Sequence, residues 1–394
     1  MGPRGVVRHA VLTAAVLAIL AFARGPQLDQ RSAKELAPGA TLYHLTDTDL
    51  VNKEGPISVW LLRLDPSRID LQLTLANEEI VGTEAVPEIA ARHGALAAIN
   101  AGFFAPNGDP AGIMTLDGRL VSDTRRPRGA VGITRDAGGL KLMFGRLRAT
   151  ATLTLQTGRG KASIDVDGVD TTRALGKLML FTPSYHPDTD TAQGGLEWVV
   201  KGRPLRVISG PHRAGKTTIP PDGFVLSFGG AKPTGPLATI RRGTRVTLTT
   251  SYEPVEGEPE SWPSAQDIVG GAGLLVRNGR HLDEWTMEAL TKGFPETRHP
   301  RTMIGTAKDG AIWLIAVDGR QPQLSIGMTF AELQGLARRL DLVNALNLDG
   351  GGSTTMWVQG SVLNSPSDAA GVRKVSDALL VYATPPPATG ARVP

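Results

Sequence analysis

Short apolar stretches, alternating or continuous, recur along most of the chain and predict many β-strands and few helices. The predicted strands are 41–44, 57–64, 69–75, 95–99, 149–155, 178–181, 198–200, 205–208, 223–228, 244–250, 301–306, 311–317, 345–348, 354–358, 361–363 and 377–382. One helix is predicted over 84–93, capped by Thr83, and a second after Thr329, which has capping-box spacing to Glu332. Because these helices are not interleaved with the strands, the sequence predicts an α+β fold of strand-rich mixed sheets with a few short helices.

The N-terminus predicts export. Arg4 and Arg8 precede the apolar run 10–22, and the small residues around Ala23 fit a signal-peptidase site. We therefore expect residues 1–23 to be a secretory signal, or an anchor if they are not removed, and the protein to be secreted or part of the cell envelope, outside the cytoplasmic membrane. A membrane contact is expected only through that segment.

The rest of the chain is predicted to form one domain. Residues 24–55 are polar and indicate a linker that contains one predicted strand at 41–44. Residues 56–384 are predicted to be the folded domain, with a strand-rich central region at 140–260, and residues 385–394 a disordered tail.

Composition excludes several classes. The 394 residues include no Cys, so disulfides, thiolate metal sites and a Cys nucleophile are excluded. The net charge of +4 falls to +2 without residues 1–23, so we expect no nucleic-acid partner.

Residues 210–217 match the phosphate-loop pattern, but Pro220 and Pro221 follow where a helix would have to begin. We interpret that segment as a basic surface loop and expect no nucleotide partner.

Polar clusters follow several predicted strands, where side chains can project into a shared cleft. The candidate residues, in chain order, are Asn100, Arg301, Asp318, Arg320, Asn347, Asp349, Gly350, Gly351, Gly352, Ser353 and Thr354. Glycine-rich turns also expose main-chain amides to anions. Ordinary structural interpretations exist: Asp318 could belong to a turn, and Asn100 could satisfy buried backbone groups. Three consecutive glycines exceed what a plain turn needs, which favours a site at Asp349.

In this order the clusters resemble the phosphodiester glycosidase family. The matching motifs are AAINAGFF at 97–104, PRTMIG at 300–305, VDGR at 317–320, SIGMT at 325–329, ALNLDGGGSTT at 345–355 and NSPSD at 364–368. The resemblance covers roughly residues 57–383 and is most specific in the last third; Ala101 departs from the family pattern, which often has two glycines after the asparagine. It implies an α+β fold, export, and hydrolysis of a sugar-1-phosphodiester in an envelope or extracellular glycan, but fixes neither the sugar nor the aglycone.

This chemistry suggests a role for each candidate. Phosphate is a good leaving group, so charge stabilisation should matter more than a strong general acid. We expect Asp318 and Asp349 to be the paired carboxylates, and Arg301 and Arg320 to hold the phosphate with the amides of 350–352. Asn100 and Asn347 would orient the sugar, beside Ser353 and Thr354. We expect no metal ligand set and no organic cofactor, although a divalent cation bridging Asp and phosphate stays an alternative.

Two other classes stay open. An ordinary O-glycoside or cell-wall glycan hydrolase would need a carboxylic acid of raised pKa, for which Glu288 or Glu296 is a candidate. A non-catalytic glycan-binding envelope protein would line its groove with aromatic residues such as Trp262 or Trp285.

Overall fold

The computed structural model describes residues 33–51, 53–136, 139–158, 160–255 and 262–383, apart from the side chain of Arg125. The predicted signal at 1–23 and the predicted tail at 385–394 lie outside the described residues. Within the described ranges, no helix is long and apolar enough to cross a membrane.

Strands dominate the described chain, and only two α-helices occur in it. The helices are α1 (Val86–Arg92) and α2 (Phe330–Arg339). The strands are β1 Lys34–Ala37, β2 Ala40–Leu45, β3 Val59–Leu64, β4 Asp70–Leu75, β5 Glu84–Ala85, β6 Ala97–Asn100, β7 Met114–Leu116, β8 Arg119–Ser122, β9 Thr124–Asp136, β10 Gly139–Thr157, β11 Gly160–Asp165, β12 Gly168–Val169, β13 Leu178–Phe181, β14 Leu196–Lys201, β15 Arg206–His212, β16 Gly223–Phe228, β17 Arg245–Pro254, β18 Asp267–Gly270, β19 Leu274–Arg277, β20 Arg280–His281, β21 Arg301–Ala307, β22 Ile312–Val317, β23 Leu342–Asn347, β24 Met356–Val358, β25 Ser361–Val362, β26 Lys374–Val375 and β27 Asp377–Tyr382.

Three larger sheets and one two-stranded ribbon organise these strands. An eight-stranded sheet has the order β1-β2-β3-β22-β21-β23-β19-β20. A twelve-stranded sheet has the order β12-β13-β16-β14-β15-β17-β10-β9-β18-β7-β8, with β11 paired to β10. A five-stranded sheet has the order β25-β24-β6-β27-β4, and β26 pairs with β5. The pairs are antiparallel apart from β12 with β13. The start of one strand therefore lies beside the end of its neighbour, which can come from a distant part of the chain.

The register of the eight-stranded sheet brings the later motifs together. Arg301 on β21 pairs with Val317 on β22, and Met303 pairs with Asn347 on β23. Val317 also pairs with Val59 on β3. The residues just after β22 and β23 therefore lie at the same sheet edge as the start of β21.

Helix α2 covers one face of this sheet. The Thr329 hydroxyl accepts a hydrogen bond from the main chain of Glu332, whose carboxylate caps Thr329 in return. The apolar face of α2, with Leu333 and Leu336, packs into a core that contains Trp313 and Met303. The predicted capping box and apolar face are both present.

Three differences from the sequence predictions have clear causes. Residues 34–45, expected within a linker, form the β1–β2 hairpin at the edge of the eight-stranded sheet, because Leu42 and Leu45 bury their side chains in its cores. Helix α1 begins after Ala85 rather than Thr83, since β5 continues through Ala85. With two helices among so many strands, the molecule is mostly β, and the strand-rich prediction is supported better than the α+β label.

The segment that matches the phosphate-loop pattern does not form one. Strand β15 runs to His212 and is followed by a turn, and Thr218 then bridges back to Asp188. A helix whose first amides would hold phosphate is missing from this described stretch, which fits the surface-loop interpretation.

Candidate functional site

One edge of the eight-stranded sheet collects the predicted charged residues. Asp318 follows β22, Arg301 opens β21 and Asp349 follows β23 by two residues, on three consecutive strands. The five-stranded sheet meets this edge, because the main chain of Asp349 donates a hydrogen bond to the Ala101 oxygen at 2.9 Å.

Asp318 is buried and held by donors on both carboxylate oxygens. Ser58 donates from Oγ to Oδ2 at 2.7 Å, and the main-chain amide of Ser365 donates to Oδ1 at 2.7 Å. Burial raises the pKa of Asp318, and the hydrogen bonds from Ser58, Ser365 and Asn364, together with the positive charge of His44 when it is protonated, oppose that rise. The group is therefore a buried carboxylate whose charged form is specifically solvated by the protein.

A cavity of about 390 Å³ opens beside Asp318. Its wall includes the flat rings of His44 and Trp60, which stack with centroids 3.9 Å apart and planes inclined by 8°. The lining also includes residues of the 362–372 segment, Asn364 among them. A cavity with an apolar ring wall and a few polar groups is typical of small-molecule sites.

Asp349 is half-buried and lies two strands further along the same edge. Its Oδ1 accepts a hydrogen bond from the Gly350 amide at 2.9 Å. Burial, with a smaller contribution from the nearby Asp377 carboxyl, raises the pKa of Asp349 to about 7, although Ser353, Gly350 and Arg373 favour the charged form. Such a group exchanges its proton near neutral pH, as acid–base catalysis requires.

Arg301 is buried, and its guanidinium donates hydrogen bonds to main-chain oxygens. It donates to Met328 at 2.9 Å, to Phe294 at 2.8 Å and to Thr297 at 2.7 Å. The rings of Phe294 and Phe330 lie 4.6 and 4.8 Å from its Cζ. Burial, followed by the Arg320 charge, lowers the pKa of Arg301 to about 10, so it stays a cation at neutral pH. Direct contact with phosphate is not favoured by this placement, because the side chain is buried and its Nε and Nη2 groups already donate to main-chain oxygens.

Arg320 is the exposed cation of the cluster. Its Nη2 lies 3.4 Å from Nδ1 of His299, and its guanidinium lies against Gly351, where a Cβ atom would stand 3.0 Å from Nη2. Burial lowers the pKa of His299, as do the charges of Arg301 and Arg320. In the described part of the chain, neither arginine forms an ion pair with a carboxylate. The cluster is therefore a positive region with a free guanidinium, which suits an anion.

Asn100 and Asn347 are both buried and both serve the fold. Asn100 donates to the Asp349 oxygen at 2.7 Å, and its Oδ1 accepts from Thr302 at 2.9 Å and from the Thr355 amide at 3.1 Å. Asn347 donates to the main-chain oxygens of residues 272 and 348, each at 2.9 Å. The expected role in orienting a sugar is not favoured for either, because neither is accessible. Both ends of the Asn100 amide are used internally, whereas Asn347 Oδ1 has no hydrogen-bond partner among the described residues.

The glycine loop also differs from the expected anion cradle. The Gly350 amide binds Asp349, and the Gly351 amide binds the Pro300 oxygen at 2.9 Å. Ser353 and Thr354 are buried; Thr354 Oγ1 lies 3.3 Å from Thr302 Oγ1. The Ser353 hydroxyl favours the charged form of Asp349 but has no hydrogen bond of good geometry.

The close packing of this loop explains its glycines. A Cβ atom on Gly350 would stand 2.7 Å from the Pro300 oxygen, and one on Gly352 would stand 2.2 Å from the Asp368 carboxylate. The glycines are therefore needed for close packing around Asp349, rather than only for open amides.

Three of the four residues that the alternative functions required have structural roles in the fold. Glu288 is fully buried and accepts hydrogen bonds from the amides of Gly129, Gly273 and Leu274 and from Arg146 Nε at 2.9 Å, which makes it a structural anion. Trp262 is buried in the core of the twelve-stranded sheet. Trp285 donates to the Leu274 oxygen and packs edge-on against the ring of Phe330, the first residue of α2. Glu296 is exposed.

Sequence reasoning missed three residues of this region: His44, Ser58 and Asp377. Asp377 is buried on β27 and accepts a hydrogen bond from the Gly102 amide at 2.6 Å. His44 and Ser58 stand on β2 and just before β3, next to Asp318. Ser58 directly precedes a strand that pairs with β22, a sheet order that the sequence does not reveal. In the described ranges, no group of three or more His, Cys, Asp or Glu residues is placed to hold a metal ion.

Comparisons with known proteins place this geometry in context. Residues 195–382 match the family model described as phosphodiester glycosidase. The N-acetylglucosamine-1-phosphodiester alpha-N-acetylglucosaminidase of Mus musculus is 32% identical over 156 residues, which are 37% of this chain and 29% of the mouse protein. The chain thus spans less than a third of the length of that curated relative.

Two solved structures share the fold. A hypothetical protein from Synechocystis is 25% identical, with a TM-score of 0.72 over 87% of this chain and 62% of that one. A protein from Burkholderia pseudomallei is 28% identical, with a TM-score of 0.70 over 83% of this chain and 74% of that one.

The named relatives among these matches are glycosidases. Over residues 195–382 the chain matches the phosphodiester glycosidase family, which confirms the resemblance that the motifs of the last third predicted. The AAINAGFF motif lies before the matched residues but joins them in space, through the contact of Asn100 with Asp349.

Proposed function

We propose that the protein is an exported glycosidase that hydrolyses a sugar-1-phosphodiester of an envelope or extracellular glycan. The reaction breaks the C1–O bond and releases a free sugar and a phosphomonoester. The observation that carries this proposal is one sheet edge at which two carboxyl groups of raised pKa accompany Arg320, a cation without an acidic partner among the described residues. The name of the mouse relative supports the same bond type.

The phosphate end of the substrate would lie against Arg320 and His299. Arg320 is exposed and its guanidinium can bind two phosphate oxygens at once. Arg301 is buried next to this site, where its positive charge favours an anion without touching it. Its hydrogen bonds also hold the main chain at 294–297 and 328 in place. Its role in our proposal is therefore positioning, with Arg320 as the contact.

The sugar end would enter the cavity beside Asp318. The His44–Trp60 wall offers an apolar face to a sugar ring, and Asp318 offers a negative charge to the anomeric carbon as it becomes positive. Asp349 would take a proton from the attacking water, since its pKa near 7 lets it accept and release protons. The bridging oxygen leaves with the phosphate, which needs little protonation to depart. We expect these steps to need no organic cofactor.

The experiment is a substrate panel with the purified full chain. The panel contains an N-acetylglucosamine-1-phosphodiester with a simple alkyl aglycone, the matching 1-phosphomonoester, and the matching O-glycoside. We expect release of free sugar from the diester, and loss of that release in Asp318→Asn and Asp349→Asn by about 100-fold or more. Asp309→Asn, which changes a surface carboxylate that pairs with Arg63, is the matched control.

Arg320 separates the proposal from its alternatives. Arg320→Gln should raise KM for the diester about tenfold or more and leave any O-glycoside turnover unchanged, whereas Arg242→Gln, at another exposed arginine, should change neither. Turnover of O-glycosides alone, insensitive to Arg320→Gln, would support an ordinary glycoside hydrolase instead. Saturable binding of glycans without any turnover would support a binding protein.

A further inference from the structure

Three neighbouring strands place a histidine and a serine beside Asp318. Strands β2, β3 and β22 are adjacent in the eight-stranded sheet. His44 Nε2 lies 3.0 Å from Ser58 Oγ, and Ser58 Oγ donates to Asp318 Oδ2 at 2.7 Å. The main chain repeats the link, because the Asp318 amide donates to the Ser58 oxygen at 2.9 Å.

The direction of this chain of hydrogen bonds follows from the donor count. A hydroxyl has one hydrogen, and Ser58 gives it to Asp318. Ser58 Oγ must then accept from His44, so the proton of the neutral imidazole lies on Nε2. The stack on Trp60 fixes the plane of the ring, so His44 is oriented before any ligand arrives.

The hydrogen-bond donors to Asp318 are important because its carboxylate is buried. Asp318 is 1% exposed, and an anion so buried needs donors on both oxygens. Ser365 supplies one through its main chain, which side-chain substitution cannot remove, and Ser58 supplies the other. Among the residues that line the cavity, His44 and Asp318 are the titratable ones. The Asn364 side chain also favours the charged form of Asp318, and His44 and Ser58 form the chain of hydrogen bonds that ends on Oδ2.

We propose that His44 and Ser58 are positioning residues that hold Asp318 as an oriented anion at the cavity wall. This inference rests on the proposed function, and it divides the work of the two carboxyl groups. Asp318 supplies the negative charge opposite the anomeric carbon, and Asp349 handles the proton of the attacking water. The chain of hydrogen bonds favours the charged form of Asp318, so it would oppose the function of a carboxyl group that had to be protonated in order to act.

The kinetic test removes each link in turn. Ser58→Ala and His44→Leu should lower kcat for the sugar-1-phosphodiester about tenfold, the loss expected for one hydrogen bond to a charged group, with KM changed by less than about threefold. Ser58→Thr keeps the hydroxyl and should retain most of the rate. The acidic limb of the kcat profile should move to higher pH in Ser58→Ala, since Asp318 then protonates more easily.

The chain offers a matched control pair. His212 Nε2 lies 3.0 Å from Ser209 Oγ in an exposed part of β15, the same contact at the same distance without a carboxylate. His212→Leu and Ser209→Ala should leave kcat, KM and the pH profile unchanged. Thermal unfolding of every variant shows whether it folds, so that a rate loss in a folded variant can be assigned to the site.

A measurement independent of turnover separates this inference from the proposed function. In ¹⁵N-histidine-labelled protein, His44 should show the Nε2–H tautomer, and Asp318→Asn should lower its pKa because the attraction of the carboxylate is lost. The His212 signals should not change. If the wild type turns over the diester but Ser58→Ala and His44→Leu are fully active, the inference is wrong and the function stands. If the wild type is inactive, a His44 signal insensitive to both Asp318→Asn and Ser58→Ala overturns the inference by itself.

Discussion

The side-chain amide of Asn100 donates a hydrogen bond to the main-chain oxygen of Asp349 at 2.7 Å, although the two residues are 249 positions apart. The bond ties β6 of the five-stranded sheet to the loop that follows β23 of the eight-stranded sheet. The Asn100 oxygen is also engaged, by Thr302 and by the Thr355 amide. One side chain thus sets where two sheets meet, and with it the position of a candidate catalytic carboxyl.

Asn100→Ala should therefore destabilise the fold. The substitution leaves a buried amide and a buried hydroxyl without their acceptor, and each such loss costs about 1 to 3 kcal/mol. We expect the free energy of unfolding to fall by about 2 to 4 kcal/mol, measured by urea denaturation. Gln193→Ala, at an exposed amide side chain, serves as the control. An unchanged urea midpoint for Asn100→Ala would contradict the structural role.

Arg301 and Arg320 should respond differently to substitution. Arg301→Lys loses the planar fork that reaches three main-chain oxygens, so we expect a loss of about 2 to 4 kcal/mol in unfolding free energy. Arg320→Gln should leave the unfolding free energy within about 0.5 kcal/mol, because the side chain is exposed. A stable Arg301→Lys protein with a raised KM would contradict this prediction and would mean that Arg301 contacts the phosphate directly.

Local patterns predicted the elements of the last third. The hairpin of β21 and β22, the capped helix α2, the strand before Asp349 and the closing strand β27 follow from alternation, capping and turn residues close in sequence. Because β21 and β22 form a hairpin, Arg301 and Asp318 had to lie near each other. These are the contacts that local chemistry determines.

Contacts between distant strands were not predictable in the same way. The pairing of β3 with β22 brings Ser58 to Asp318 across 260 positions, and no local signal marks it. The engagement of Arg301 and Asn100 depends on which carbonyls the folded chain presents to them. Residue type indicated the chemistry of these side chains correctly, but it could not tell an open donor from a satisfied one.

Glu288 tests whether an ordinary glycosidase acid exists in this fold. The carboxylate is fully buried, holds three main-chain amides and binds Arg146 Nε at 2.9 Å. Glu288→Gln should reduce the unfolding free energy by about 3 kcal/mol or more, since it leaves a buried guanidinium short of its anion. The rate per folded molecule should stay within about twofold. A stable Glu288→Gln protein without turnover would instead favour the O-glycoside hydrolase.

The pH dependence of stability should reveal the raised pKa of Asp349. Below the unfolded pKa near 4, the carboxyl is protonated in both the folded and unfolded states and has no effect on stability. As pH rises toward the folded pKa of about 7, the unfolded chain releases the proton while the folded protein keeps it, so the folded state loses stability. Asp349→Asn removes this penalty, which amounts to up to about 4 kcal/mol at about 1.4 kcal/mol per pKa unit.

Urea denaturation at pH 4 and pH 8 measures that penalty. Relative to the wild type, Asp349→Asn should gain stability between the two pH values. Asp309→Asn should behave in the opposite sense, because hydrogen bonds from the Ala311 amide and from Arg63 outweigh burial and hold the pKa of Asp309 below its usual value, and that stabilisation is present at pH 8 and is lost as pH falls. A stability difference between wild type and Asp349→Asn that is the same at both pH values would mean that Asp349 titrates as an ordinary carboxyl. It would then have no special capacity to carry the proton of the attacking water at neutral pH.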